Sequence, residues 1–347
     1  MTMRTFYLVG DGTDPYENLA LEDALLRAVP EGSLLLYLWQ NAHTVVIGKN
    51  QNCFAECDLP LLETEGGRLA RRASGGGAVY HDLGNLNFTF LACDGSYDVS
   101  RQLEIILRAL RALGLPAERT GRNDIAAGDR KISGNAFRST GGRSCHHGTL
   151  LWNVDLEKLS RYLRPSAAKL AAKGVPSVRS RVGNLTDFVP ALTLDELRTR
   201  LIESLAGVCG SSPEPFPMEL VDLNRLRETE ELYSSPEWLY GRVSPAAPPE
   251  NSGYPPDTPH PPDTPQRFVR RFPWGDIDLR LTAVGGRVKR AEVFSDALDA
   301  DRIARIPALL TGCECSPSAL AKRLRAAAAG VGEDIPEYAD IADWLEE

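Results

Sequence analysis

Residues Arg71 to Asn87 read RRASGGGAVYHDLGNLN. A serine and three consecutive glycines, Gly75, Gly76 and Gly77, separate the basic-apolar run RLARR from a strand-like AVYH. Successive glycines let the main chain bend tightly and turn several N–H groups toward one point, which is how a chain grips an anion. A plain hairpin turn would also use glycine. The neighbouring guanidiniums of Arg71 and Arg72 and the His81-Asp82 pair favour the anion. The stretch matches neither common nucleotide loop, because GGGAVY lacks the lysine of a Walker A motif and places Tyr80 where a dinucleotide fingerprint has its third glycine. A nucleotide held here needs another architecture.

On both sides of this loop the pattern is that of strands. SLLLYLW (33–39), HTVVIG (43–48), RLARR (68–72), AVYH (78–81) and LNFTFLA (86–92) are short, apolar and rich in branched or aromatic residues, so the glycine loop joins two sheet elements. Asp14, Pro15 and Glu17 read as a capping box that launches a helix through ENLALEDALLRAV and stops at Pro30. RQLEIILRAL has helical spacing and ends before Gly114, and Thr193 with Glu196 opens a further helix through LDELRTRLIESL. Irregular alternation of the two kinds of element predicts an α+β fold, with mixed sheets and packed helices.

A second cluster, GRNDIAAGDRKISGNAFR, spans residues 121–138. Ser133, Gly134, Asn135 and Ala136 are small and leave room for a bulky group against the backbone. Lys131 reads either as a solvated strand end or as a point charge for a phosphate or carboxylate oxygen, and its setting beside an anion loop favours the second. The third cluster begins CHHGTLLWNVDLEKL at Cys145. His146 and His147 face opposite ways on a strand, and no further ligand stands at metal spacing nearby, so a structural zinc site is not expected. From Lys158 to Thr186 stand seven basic residues, Lys158, Arg161, Arg164, Lys169, Lys173, Arg179 and Arg181, and no acid. In a chain of net charge -8 this local excess calls for a negative partner.

The 347 residues suit about two domains. A composition 43% hydrophobic and 25% charged is that of a globular protein able to bury a full core. The pI near 5.4, with few aromatics in the basic stretch, argues against a nucleic-acid binder. No apolar run reaches membrane-span length, and the N-terminus lacks a secretory pattern, so a cytoplasmic place and no membrane partner are expected. Seven cysteines match no disulfide or zinc framework and fit a reducing compartment. Near residue 244 the composition breaks: residues 244–266 hold nine prolines and repeat PPDTP, the mark of an extended linker. The expected organisation is a large domain over 1–243, this linker, and a small domain over 267–347. The last should carry a strand pair closed by Gly285-Gly286 and then helices.

RRASGGGAVYHDLGNLNFTF, GRNDIAAGDRKISGNAFR, HHGTLLWNVDL and KLAAKGVPSVRSRVGNL, in this order, resemble the signature blocks of the lipoate-protein ligase A family, within the biotin/lipoate protein ligase superfamily. The resemblance implies a catalytic domain of that type and a small C-terminal α+β accessory domain. It implies ATP with Mg²⁺ as the substrate complex, with no tightly bound prosthetic group. It further implies lipoate or octanoate as the acid, activated to an acyl-adenylate with release of pyrophosphate and passed to a lysine of a lipoyl carrier domain, in 2-oxo acid dehydrogenases or the glycine cleavage H protein. Matched by position, Arg72, Gly75, Gly76, Gly77, Ala78, Val79 and Tyr80 border the adenylate with Asn123, Asp124, Arg179 and Arg181. Lys131 contacts both carbonyl and phosphate, and Asp124 stands toward the Mg²⁺; the sequence itself names no base for amine attack, and Asp124 is the one option considered for it. Arg72, Ser74, His81, Lys131, Arg138 and His147 line the lipoate side, and the stretch Lys169 to Asn184 resembles a loop that closes over the adenylate. The alternative within the superfamily is a transferase that uses preformed lipoyl-AMP or a thioester on Cys145.

Overall fold

The computed structural model describes residues 3–121, 123–164, 182–241, 265–331 and 335–347. The chain divides into two compact units, the first made of Met1–Ile47, Cys53–Ser74 and Ala78–Gly241, the second of Gly48–Asn52, Gly75–Gly77 and Arg242–Glu347. In chain order the first half runs β1 (Arg4–Val9), α1 (Pro15–Ala28), β2 (Ser33–Trp39), β3 (Thr44–Ile47), α2 (Cys53–Glu56), α3 (Leu59–Thr64), β4 (Arg68–Arg71), β5 (Val79–His81), β6 (Asn85–Cys93), α4 (Val99–Ala112), β7 (Ala117–Thr120), β8 (Asp124–Ala127), β9 (Arg130–Thr140) and β10 (Arg143–Leu151). There follow α5 (Leu156–Tyr162), α6 (Leu194–Cys209), β11 (Glu214–Pro215), α7 (Leu223–Ser234), α8 (Pro236–Tyr240), β12 (Gln266–Phe272), β13 (Gly275–Val284), β14 (Arg287–Ser295), α9 (Ala300–Leu310), α10 (Pro317–Val331) and α11 (Pro336–Glu346).

The first unit is built on an eight-stranded mixed sheet of order β11-β1-β2-β6-β10-β9-β8-β7, beside a small sheet of order β4-β3-β5. SLLLYLW is buried along its whole length because both faces of the large sheet are covered. Leu34, Leu36 and Leu38 pack with Phe88 and Phe90 against Ile105, Ile106 and Leu110 of α4 and Leu197, Leu201 and Leu205 of α6. Leu35, Tyr37 and Trp39 point the other way, with Leu91, onto Leu19, Leu25 and Leu26 of α1 and Tyr233 of α7. Both capped helix starts sit where the sequence placed them, although at α1 only the Asp14 half of the expected capping box is described. Asp14 caps α1 by accepting from the Tyr16 amide with Pro15 at the first position, and Thr193 caps α6 by accepting from the Glu196 amide. The acceptor role of the expected box at α1 is thus filled by Asp14 toward a residue two positions on.

The α+β class read from the sequence is the observed one. In the second unit the hairpin closed at Gly285-Gly286 is part of a three-stranded meander β12-β13-β14, because RFVRRF pairs antiparallel with β13 across a turn at Pro273-Trp274. Helices α9, α10 and α11 pack on it through Ile303, Ile306, Leu320, Leu324, Tyr338 and Ile341. Residues 244–264 of the proline-rich stretch lie outside the described residues, and Gln266, taken from sequence as its last residue, opens β12.

Candidate functional site

Antiparallel pairing of β8 with β9 sets Asp124 opposite Gly134, and a register shift between Ile125 and Ala126 brings Lys131 opposite Ala126. The Lys131 Nζ lies 2.7 Å from Asp124 Oδ1. Gly134 makes the space: a Cβ there would stand 2.7 Å from the Lys131 ammonium. Asn123 is clamped next door, its Nδ2 donating to the Asn135 carbonyl at 2.6 Å while the Asn135 amide donates back at 2.8 Å. Val182 bridges to the Lys131 backbone, and the Gly183 amide donates to its carbonyl at 3.0 Å. The end of the stretch expected to close over an adenylate is therefore anchored at Lys131. Lys169, Lys173, Arg179 and Arg181 lie outside the described residues.

A second polar group sits between β10 and α1. The Ser74 Oγ is 2.7 Å from His147 Nε2, and His147 Nδ1 is 2.9 and 3.0 Å from the two Glu22 oxygens. Thr89 donates to Glu22 at 2.7 Å, the Trp39 indole N–H donates to Thr89, and Arg72 Nε donates to Ser74 at 3.1 Å. Burial pushes the Glu22 carboxyl up, but the His147 and Thr89 contacts and the Arg138 charge outweigh it and hold it below the usual range. An ionised Glu22 takes the Nδ1 proton of His147 as its donor. Nε2 of the same ring faces the Ser74 hydroxyl. Burial lowers Arg72 to about 10, with Glu22 opposing. Arg138 donates to Asp23 at 2.8 Å, so a pair of buried acids on α1 anchors two of the expected pocket residues, His147 and Arg138.

Glu22 and Asp23 are absent from the sequence reading, yet a signal exists. They stand three and four residues after Leu19 and before Leu26, on the apolar stripe of α1, where an acid must find a partner. The structure also brings Glu22, Cys145 and His147 together, with ligand-type atoms within 4.8 Å of one another, the one such group among the described residues. Spacing along β10 alone hid it because the third member comes from a helix. Its thiol is driven well above the ordinary cysteine value by burial and by Glu22. An imidazole already bonded to Glu22 and a protonated thiol make a poor donor set.

His81 is buried beside this group. Its Nδ1 is 3.2 Å from Asn41 Nδ2, and burial, Arg72 and His147 together hold the ring down to about 3, hence neutral at pH 7. Tyr80 is a core residue, its ring against Tyr162 and His43, and Ala78 and Val79 pack at the edges of apolar clusters. Arg71 and Arg72 do not act as a pair. Alternation along β4 sends the Arg71 guanidinium to the Trp238 and Leu239 carbonyls at the end of α8, at 2.7 to 3.1 Å.

Gly75, Gly76 and Gly77 belong to the second unit. The Gly76 amide donates to the Ala297 carbonyl at 3.0 Å, and a Cβ on Gly75 would lie 2.2 Å from that oxygen. Gly76 has φ 89°, a conformation that favours glycine. These glycines thus have a packing reason that motif reading alone does not supply. The basic stretch needs a similar correction: Arg161 pairs with Glu65 and Arg164 with Asp58, acids supplied by α3 and its flanks. Counting charge along the chain overstated the excess.

The family described as lipoyl protein ligase A/B catalytic domain matches residues 14–206, and that described as bacterial lipoate protein ligase C-terminus matches residues 262–345. The chain belongs to the lipoate-protein ligase family. Among solved ligase structures it is similar to P. falciparum LipL1 in complex with lipoate, at 27% identity over 99% of this chain and 100% of that one, with a TM-score of 0.80. The bi-partite lipoate protein ligase of T. acidophilum, studied with its E2 lipoyl domain, is 31% identical over 70% of this chain and 98% of that one, TM-score 0.61. A lipoate-protein ligase A bound with ATP is 32% identical over 70% of this chain and 100% of that one, TM-score 0.60. As in the sequence-based expectation, this ligase-family chain pairs a catalytic-domain match with a C-terminal one. No helix among its described residues is long and apolar enough to cross a membrane.

Proposed function

We propose that this lipoate-protein ligase relative is an ATP-dependent ligase that activates lipoate or octanoate to an acyl-adenylate and transfers the acyl group to a lysine ε-amine of a lipoyl carrier domain. The observation that carries the reading is the Lys131 ammonium, held by Asp124 above a strand that Gly134 clears for it. Relatives bound to lipoate and to ATP, and one studied with an E2 lipoyl domain, support the two substrates and the carrier; the H protein is added as a proposed further carrier.

A carboxylate is a poor electrophile at neutral pH. In the first step its oxygen attacks the α-phosphorus of ATP and pyrophosphate leaves, so the chain has to offset negative charge and needs no nucleophile of its own. A well-placed cationic donor is worth about 3 to 4 kcal/mol in such a step. We assign that work to Lys131, with Asn123 and Asp124 on the nucleotide side and Arg72, Ser74, His81, Arg138 and His147 on the acid side. The single carboxylate of Asp124 suits Mg²⁺ arriving on the triphosphate, since that ion keeps waters and phosphate oxygens as most of its ligands. Mg²⁺ would supply charge neutralisation there. In the second step the carrier amine nitrogen attacks the acyl carbon, the bond from that carbon to the phosphate oxygen breaks with AMP as the leaving group, and the proton shed by the nitrogen passes to a base, for which Asp124 is the candidate.

The state of Cys145 supports this reading over a cysteine transferase. Its thiol is 3% exposed and far above the pKa of a reactive nucleophile. All seven cysteines are free thiols, in keeping with the cytoplasmic site proposed. The test is pyrophosphate release from ATP with and without lipoate. Wild type should release it only with lipoate, and Lys131→Ala should lose that release. Wild type without lipoate-dependent release would point to transfer from preformed lipoyl-AMP.

A further inference from the structure

His146 is fully buried and faces away from the Ser74–His147–Glu22 group. Neighbours on a strand point to opposite faces, so the HH pair divides: His147 meets α1, and His146 meets Gln102 of α4. Phe137, Phe88 and Phe90 enclose the imidazole at ring distances of 4.8, 5.6 and 5.8 Å. Its Nε2 is 2.9 Å from Asn135 Oδ1 and its Nδ1 is 3.0 Å from Gln102 Oε1. Gly148, two residues on and on the same face, is required here, because a Cβ would lie 2.7 Å from Asn135 Oδ1 and 2.5 Å from Phe88.

The hydrogen-bond geometry dictates the tautomer. Asn135 Nδ2 donates to the Asn123 carbonyl at 3.0 Å, which leaves Asn135 Oδ1 as an acceptor and places the imidazole proton on Nε2. Nδ1 then accepts, and Gln102 satisfies it once its amide is read with nitrogen toward the ring. That half-turn exchanges atoms that look alike and gives the otherwise unpartnered Gln102 Nε2 its acceptor. Burial, which holds the ring down to about 3, agrees with a neutral imidazole. The result is an unbroken path from the buried Gln102, His146 and Asn135 to the half-buried Asn123. It ends one residue before Asp124, the partner of Lys131.

We infer that His146 is a positioning residue for the proposed adenylation step: its Nε2–H orients the Asn135 amide, which holds Asn123 and so sets the Asp124–Lys131 pair. The inference rests on Lys131 being the site's cation. Removing an orienting hydrogen bond behind a reactive group typically costs 10- to 100-fold where it has been measured for metal ligands, and about that loss is expected here.

The experiment is lipoate-dependent pyrophosphate release by the full chain for wild type, His146→Phe, His146→Asn, His146→Gln and Lys131→Ala, each with a thermal melt. Glutamine places an N–H near the Nε2 position, whereas asparagine reaches only as far as Nδ1. His146→Phe and His146→Asn should lose about 10- to 100-fold in kcat, and His146→Gln should recover most of it. Equal melting losses with kcat unchanged in all three would make His146 a packing residue and overturn the inference. An active Lys131→Ala would instead overturn the site reading itself. Nitrogen-15 NMR of the wild-type ring is the check that survives a misfolded variant: an Nε2–H tautomer across pH 5 to 8 supports the relay, and an imidazolium or Nδ1–H signal refutes it.

Discussion

Glycine does opposite work at Gly134 and at Gly75. At Gly134 the atoms that a Cβ would meet are the far end of a flexible side chain, the Lys131 Nζ and Cε at 2.7 and 3.0 Å. At Gly75 they are backbone, the Ala297 and Leu298 carbonyl oxygens at 2.2 and 2.5 Å. A lysine can swing aside at small cost to the fold, and a peptide group cannot. The strand glycine therefore protects a charge's position, while the loop glycine protects packing inside its own unit.

The widest effect should come from the charge itself. Lys131→Ala is expected to cut lipoate-dependent pyrophosphate release by about 10²- to 10³-fold, as for loss of one transition-state donor. Next comes Gly134→Ala, expected to lower kcat about tenfold or more by displacing the ammonium while leaving stability within about 1 kcal/mol. Gly75→Ala should do the reverse in the melt, with a loss of about 1 to 3 kcal/mol or more from overpacking against a carbonyl. Urea denaturation of both alanine variants side by side decides it. If Gly134→Ala unfolds more easily than Gly75→Ala, the contrast is wrong.

A smaller effect comes from two buried histidines, His81 on β5 of the small sheet and His146 on β10 of the large one. His81 and His146 are held near 3 when folded, against 6.5 when free. The unfolded chain therefore binds more protons between those values. Their contribution is fully present above about pH 6.5 and is lost as pH falls toward 3, by up to about 1.4 kcal/mol per pH unit for each ring. Glu22, depressed from 4.5, adds to the loss only below that value. His146→Gln should make stability less steep between pH 6 and 5, read from urea midpoints, and an unchanged slope would mean that the ring is not buried neutral. The smallest effect expected is at Cys145, where serine should leave pyrophosphate release within about threefold of wild type, since burial and Glu22 keep the thiol protonated.

Much of the frame was legible in the chain. SLLLYLW, LNFTFLA and the capped starts at Asp14 and Thr193 are local signals, and each sits where it was expected. The strand that carries Lys131 among small residues was legible too. The misses share one cause. Glu22, Asp23, Glu65 and Asp58 reach His147, Arg138, Arg161 and Arg164 across 96 or more positions of sequence, and counting along the chain cannot pair them. Arg71 looked equivalent to Arg72 until strand alternation turned it toward α8.

What the sequence determined unaided was the strands around the glycine loop, the capped helix starts and the residue types proposed for chemistry on a carboxylate and a phosphate, because periodicity, caps and glycine runs act over a few residues. Only the tertiary structure decided which acid meets which base, which histidine of the pair serves which face, and which glycines clear space for a side chain or for another backbone. Those outcomes depend on distances between segments remote in the chain, where hydrogen bonding and burial select one partner from many of the same type.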